Sequence, residues 1–390
     1  MALEGAAGRV ERIGRERLSL PGLSEKAPIR HLDPTLVVFA LLLAGFGALM
    51  VYSATFSRLE AEALPPRYYL DRQLLFGVVG VIGMTVLALF GYRKLKAWAW
   101  LAWGIAVLLL VAVLSPIGTT VAGAQRWIAI GVFQIQPSEL AKLAAIIAIA
   151  AVLSERKGSP VLPDVVKCLI LVGIPALFIY LQPDLGTLLV LLAILGGMLL
   201  VAGTRMRLLI VLILLATVAF WGILQAGLLK DYQVARLTAF LDPTSDPART
   251  GYNLAQAKIA IGSGQLTGKG LFSGTQTNLK FVPEQHTDFI FTVIGEELGF
   301  AGSVAFLALF AMFIWRGVRI SMMAKDTFGA LLAAGIVSMF AFQGFVNMGM
   351  TMGISPITGI PLPFVSYGGS SLIASFLATG ILLNIHMRRL

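Results

Sequence analysis

The sequence predicts an all-α membrane protein, a polytopic bundle of about ten transmembrane helices with a large extracytoplasmic loop. Composition is the first reason: 57% of the 390 residues are hydrophobic and 13% charged, and mean hydropathy is +0.86, outside the soluble globular class. Segment length is the second. A spanning helix needs about 20 mostly apolar residues, and stretches approaching that length fall at roughly 34–55, 73–91, 97–115, 138–153, 165–181, 185–203, 207–229, 288–315, 328–350 and 369–387. Charge placement is the third. A formal charge of +10 suggests nucleic acid only until its positions are read, and they lie in short loops between apolar runs, where they set orientation.

Arg9, Arg12, Arg15, Arg17, Lys26 and Arg30 crowd the first thirty residues. The alternate loops then hold Arg93, Lys94 and Lys96, next Arg156 and Lys157, next Arg205 and Arg207, next Arg316, Arg319 and Lys325, and last Arg388 and Arg389. By the positive-inside rule that side is the cytoplasm, and an even number of spans puts both termini there. No cleavage-type small-residue site follows the first apolar run, so 1–30 reads as a cytoplasmic tail and the first span as retained. The remainder, 31–390, reads as a single transmembrane domain, with 230–287 as its large extracytoplasmic loop. The single cysteine, Cys168, lies in an apolar run; no intrachain disulfide and no site of several thiolates can form, and it reads as a small core residue.

The outward loops, 56–72, 116–137, Gln182-Pro183-Asp184, 230–287 and 351–368, are richer in Gly, Pro, Gln and Asn. A segment as long as 230–287 is a functional element rather than a connector. Within it Tyr252–Ile261 has helical apolar spacing and predicts a short helix on, or dipping into, the outer interface. Gly262 to Gly270 resembles a nucleotide loop superficially, but its glycine spacing does not fit and no Ser or Thr follows Lys269, so ATP binding is rejected. Gly77, Gly80 and Gly83 suggest close helix packing. The stretch 353–371 is rich in turn formers yet apolar, and such backbone at membrane depth is tolerated only against protein or a cavity. We expect it to line one.

Polar groups at or inside the spans are the functional candidates. Asp288 stands where the polar loop enters an apolar run; a carboxylate there is expensive to keep, with helix capping as the plain alternative. Burial would raise its pKa, and the helix N-terminus and nearby cations would lower it. Glu139 and Lys142 are three apart on one helix face; they either form a structural ion pair or leave Lys142 to receive an anionic substrate, steadied by Glu139. Asp184 opens another outward helix, as an N-cap or a site residue. Glu296 and Glu297 lie about 12 Å deeper than Asp288 at 1.5 Å per residue and are expected to bond neighbouring helices. His286 reads as a hydrogen-bonding residue, and the three histidines His31, His286 and His386 are too dispersed for a zinc site.

Ala124-Gln125-Arg126-Trp127, Gln136-Pro137-Ser138-Glu139-Leu140-Ala141-Lys142, Gln182-Pro183-Asp184-Leu185-Gly186-Thr187, Ile261-Gly262-Ser263-Gly264, His286-Thr287-Asp288-Phe289-Ile290-Phe291, Glu296-Glu297-Leu298-Gly299 and Pro361-Leu362-Pro363-Phe364-Val365-Ser366-Tyr367-Gly368-Gly369-Ser370 occur in this order. Together they resemble the SEDS family (shape, elongation, division and sporulation), the RodA and FtsW group, over nearly the whole chain after the tail. Gly268-Lys269-Gly270, Gly274-Thr275-Gln276 and Pro283-Glu284-Gln285-His286 lean toward its RodA branch; Gly295-Glu296-Glu297 and Ser370-Ser371 lean toward FtsW. The resemblance implies a ten-span peptidoglycan glycosyltransferase that polymerises lipid II at the outer membrane face for elongation and rod shape, beside a class B penicillin-binding protein. It also implies Asp288 as the essential acid, Glu139 and Lys142 as a polar pair in the membrane cavity, and Arg126 as a functional outer-loop arginine.

These readings make Asp288 the catalytic base of an inverting displacement in which an acceptor hydroxyl attacks the anomeric carbon and undecaprenyl pyrophosphate leaves. Arg126, Lys142, Lys258 or Lys269 would neutralise the pyrophosphate, or a divalent cation (magnesium or manganese) would. Asp184, Glu139 and Ser366 complete the candidate substrate-binding set. No covalent cofactor and no nucleic acid is expected; lipid II, the transpeptidase and membrane lipid are. The rivals are a lipid II flippase or other lipid transporter, an FtsW-type division polymerase, and a scaffold that only anchors the transpeptidase.

Overall fold

The computed structural model describes residues 31–121, 124–131, 133–227, 229–242, 250–279 and 284–389. The expected tail 1–30, with its six basic residues, lies outside them, as do Phe281, Val282 and Pro283 of the loop before Asp288. Fourteen helices and three strands follow in chain order among the described residues: α1 (Pro34–Ala61), α2 (Tyr68–Phe90), α3 (Tyr92–Ala97), α4 (Ala99–Leu114), β1 (Gly118–Val121), β2 (Ala124–Ile130), β3 (Phe133–Ile135), α5 (Pro137–Ser154), α6 (Leu162–Leu181), α7 (Leu185–Val201), α8 (Met206–Gln225), α9 (Asp231–Leu241), α10 (Thr250–Ser263), α11 (Thr275–Asn278), α12 (Ile290–Met322), α13 (Thr327–Met352) and α14 (Gly369–Met387). Eight of these helices are long and apolar enough to cross a membrane, and the shorter apolar α4 and α7 bring the set to the ten expected. The protein is a multi-pass membrane protein.

Local chemistry starts and stops the helices. Asp33 accepts from the Thr35 and Leu36 amides with Pro34 at the first helical position, Asp184 accepts from the Thr187 amide and hydroxyl, and Asp326 accepts from the Gly329 amide. Gly353 ends α13 in the left-handed conformation at φ 76°, which favours glycine.

Packing divides the spans. α5, α13 and α14 are largely buried, whereas α8 has no buried residue in its spanning window. α2 and α14 lie close, as Gly80 and Gly83 predict: a methyl at Gly80 would sit 2.5 Å from the Phe376 ring, and one at Gly83 2.8 Å from Leu377. Phe313, Phe340, Phe364 and Phe376 meet in the core with neighbouring centroids 5.2–5.6 Å apart.

One of the connections expected on the outer side differs from expectation. The 116–137 connection forms an antiparallel sheet in the order β1-β2-β3. Part of the 353–371 stretch packs between helices: Leu362, Phe364 and Val365 are buried, and a methyl on Gly47 of α1 would lie 2.5 Å from the Val365 Cα. Non-helical backbone at this depth is thus sheltered by protein.

The glycine-rich loop after α10 has a structural role. α12 breaks at Gly299, at φ 65° and ψ −161°, so its own hydrogen-bond ladder cannot cross that point. The loop supplies the missing partners: Lys269 N–H to the Glu296 carbonyl at 3.1 Å, Gly270 N–H to Glu297 at 2.9 Å, Phe300 N–H to Gln265 at 2.8 Å and Ala301 N–H to Leu266 at 2.9 Å. So close an approach needs bare backbone. A methyl at Gly264 would fall 2.0 Å from the Gly295 oxygen, and one at Gly268 2.1 Å from that of Glu297.

Candidate functional site

Four connections converge at one end of the bundle. Arg126 of β2 donates to the Gln182 carbonyl at 2.9 Å and also to that of Pro183. Tyr232 of α9 donates to the same Pro183 carbonyl at 2.8 Å, and the Ser370 hydroxyl donates to the Gln134 carbonyl at 2.9 Å. The sheet, the 182–184 turn, α9 and the 353–371 stretch are thereby tied around the turn that carries Asp288.

That turn is held from two sides. Ser366 donates its hydroxyl to the Thr287 carbonyl at 2.6 Å and accepts from the Leu362 amide at 2.8 Å. Asn347, fully buried on α13, donates to the Asp288 carbonyl at 2.9 Å and to that of Ile360 at 2.7 Å. Main-chain anchoring leaves the Asp288 carboxylate free to face Gly359: a methyl there would lie 3.2 Å from Asp288 Oδ2 and 3.5 Å from Arg236 Nη1. Burial pushes the Asp288 carboxyl up to about 6; Arg236 and Arg126 pull it down, while Glu284 and Asp184 push it further up. Desolvation is thus the largest influence on the group, and its direction is the one a general base at neutral pH needs.

Of the expected cations, Arg126 belongs to this surrounding and the others are engaged elsewhere. Lys142 and Glu139 are buried and paired at 2.7 Å. Lys269 pairs with Glu296 at 2.8 Å. Glu296 also accepts from the Gln276 and Thr277 amides at 2.8 and 3.0 Å and from the Thr277 hydroxyl at 2.9 Å. Glu297 accepts from Ser53 of α1 at 2.6 Å. The two glutamates thus fasten the glycine-rich loop and α1, in line with a bonding role. Lys258 is exposed on α10, and its Nζ would lie 2.5 Å from a methyl on Gly353; it sits at the C-terminus of α13, where a cation offsets the helix dipole. Asp184 caps α7, lies 3.9 Å from the Arg126 guanidinium and accepts from Gln136 at 3.4 Å. Ser366 acts here by holding the Asp288 turn.

Sequence reasoning missed Arg236 and Asn347. Arg236 sits one helical turn after Tyr232, with its guanidinium carbon 5.6 Å from that ring's centroid; the spacing of Tyr232, Gln233 and Arg236 was the available signal. Asn347, a polar residue within an apolar span, carried the signal already applied to Glu139 and Lys142. No group of three or more His, Cys, Asp or Glu that could hold a metal ion occurs among the described residues. The cations that act on Asp288 among the described residues are the guanidinium groups of Arg236 and Arg126.

The family model for the FtsW, RodA and SpoVE cell cycle proteins matches residues 34–390. The peptidoglycan glycosyltransferase MrdB of Escherichia coli K12 is 41% identical over 361 residues, 92% of this chain and 94% of that protein. The stage V sporulation protein E of Bacillus subtilis is 40% identical over 356 residues, covering 90% and 96%. A chain from a solved peptidoglycan synthase complex, described as coordinating polymerization and crosslinking, superposes with a TM-score of 0.77 at 31% identity, covering 92% of this chain and 98% of that one. The crystal structure of the rod shape determining protein RodA of Thermus thermophilus superposes with a TM-score of 0.67 at 30% identity, covering 92% and 97%. With the motifs in order, the ten spans in place and the relatives aligned along nearly their whole length, this chain belongs to the SEDS family of FtsW, RodA and SpoVE proteins.

Proposed function

We propose that the protein is a peptidoglycan glycosyltransferase that polymerises lipid II into glycan strands for cell elongation, with Asp288 as the base. The observation that carries this reading is the setting of Asp288. Its carboxyl is lifted to about 6 by burial and lies in the field of Arg236 and Arg126, at the end of the bundle where the long loops converge. The names of its relatives supply the reaction class.

In the reaction the acceptor sugar's 4-hydroxyl loses its proton to Asp288 and its oxygen bonds to the donor's anomeric carbon. The bond from that carbon to the pyrophosphate oxygen breaks, and the anomeric centre inverts. Pyrophosphate needs charge stabilisation more than a proton as it leaves, and Arg236 and Arg126 would provide it. A divalent cation, if used, would come with the pyrophosphate.

The basic loops at the opposite end support a cytoplasmic location for that end and for both termini, with Asp288 at the outer face of the bacterial cytoplasmic membrane. The likeness to a synthase complex chain supports a class B penicillin-binding protein as partner. A lipid II flippase is less well supported, because Glu139 with Lys142 and Glu296 with Lys269 are closed pairs rather than groups free to pass a headgroup across the bilayer.

Labelled lipid II incubated with the purified protein, alone and with a cognate class B partner, tests the reading. Long strands from wild type and none from Asp288→Asn support it. No strands under either condition, with lipid II translocated in liposomes, would make the flippase the better account.

A further inference from the structure

On the other flank of the Asp288 turn three rings from three chain segments gather: Tyr69 at the start of α2, His286, and Tyr367 just before α14. The Tyr69 centroid lies 4.8 Å from that of His286 and 4.9 Å from that of Tyr367, with His286 and Tyr367 5.7 Å apart. Tyr68 extends the group, 5.2 Å from Tyr69, with the Arg72 guanidinium carbon 4.3 Å above its ring. The Tyr367 amide donates to the His286 carbonyl at 2.8 Å. His286 is two residues from Asp288, and the bond from the Tyr367 amide ties a second ring's segment to the same turn.

The character of this group differs from packing aromatics in the same molecule. The core cluster is built of phenylalanines at 0–1% exposure. Here every ring carries a polar atom, Tyr69, His286 and Tyr367 are half-buried, and Tyr68 is exposed. A headgroup-level belt of tyrosines would splay toward lipid. These rings turn toward one another beside the turn that carries Asp288.

We propose that Tyr69, His286 and Tyr367 form a sugar-stacking subsite for a β-linked aminosugar ring of the glycan. A pyranose with equatorial substituents presents axial C–H groups, positively polarised, which complement the negative face of an aromatic ring. The polar ring atoms can hydrogen-bond the hydroxyl and acetamido groups at the sugar's rim. Asp288 then stands between a cationic flank suited to pyrophosphate and an aromatic flank suited to the saccharide. The inference rests on the glycosyltransferase reading and adds to it where the sugar is held.

The test compares Tyr69→Phe and Tyr69→Leu, the first keeping the π face and the second keeping only bulk, in two measurements on the purified full chain. Lipid II polymerisation should give a KM within about twofold of wild type for Tyr69→Phe and about tenfold higher for Tyr69→Leu, the size of one lost stacking contact. Saturation transfer from protein aromatic protons to a soluble N-acetylglucosamine oligosaccharide should be seen with wild type and lost with Tyr69→Leu. Absence of transfer in wild type, or a wild-type KM for Tyr69→Leu, overturns the proposal. Failure of wild type to polymerise at all would count against the glycosyltransferase reading, while the saturation transfer still decides the subsite.

Discussion

Asp288 and Arg236 face each other across Gly359, whose missing side chain leaves the gap between them: a methyl there would lie 3.2 Å from the carboxylate oxygen and 3.5 Å from the guanidinium nitrogen. Gly359 itself sits at φ 71°, a conformation that favours glycine. A base and a cation held by separate elements on either side of bare backbone suit a reaction that takes a proton at one point and releases an anion at another.

Arg236→Ala is expected to lower kcat/KM for lipid II about 100-fold, the usual scale for removing one preorganised charge stabiliser. Arg236→Lys should recover only part, because an ammonium does not reproduce the planar fork. Strand synthesis at fixed protein concentration checks both.

Asn347 should act through position rather than contact with substrate. Asn347→Leu leaves the carbonyls of Asp288 and Ile360 without this donor, an expected cost of about 1–3 kcal/mol in stability. The Asp288 turn is then free to shift, so kcat should fall more than KM rises. Thermal melting and steady-state kinetics on the same preparation separate the two effects.

The Glu139 and Lys142 pair predicts a non-additive cycle. Lys142→Met strands a buried carboxylate and should cost about 3–5 kcal/mol, whereas Lys142→Met with Glu139→Leu should restore much of that loss. Melting of the two single variants and the double variant measures the coupling.

Gly268 sits at φ 80°, with the Glu297 oxygen 2.1 Å from where a Cβ would stand. Gly268→Val is therefore expected to lift the glycine-rich loop off the α12 break, expose unpaired backbone around Gly299 and lower the melting temperature. Lys269→Met should do less, because Glu296 keeps its bonds from Gln276 and Thr277.

Much of the architecture was legible because each span declares itself by its own length and composition. Asp288 was legible for a related reason: a carboxylate stands out where polar chain turns apolar. What escaped were relationships between distant segments. Lys269 could be read as a cation but not as the partner of Glu296, since that pairing follows from the helix break at Gly299. Arg236 looked like one polar residue among many in a long loop, and only Gly359 opposite gives it a role. The sheet at 118–135 consists of strands of three to seven residues, too short for alternation to stand out.

The pH dependence of polymerisation tests the central claim most directly. A base must be ionised to act, so with Asp288 lifted to about 6 kcat/KM should rise about tenfold per pH unit below pH 6 and level off above it. The same shift sets the sign for stability. A carboxyl held above its ordinary 3.8 favours the protonated folded state, so stability falls as pH rises through about 6, and Asp288→Asn should melt higher than wild type at pH 8. An inactive but more heat-stable Asp288→Asn protein, beside a wild-type profile with an apparent pKa near 6, is the predicted result. A wild-type profile flat from pH 5 to pH 8, or strand synthesis by Asp288→Asn, would contradict the assignment of Asp288 as the base.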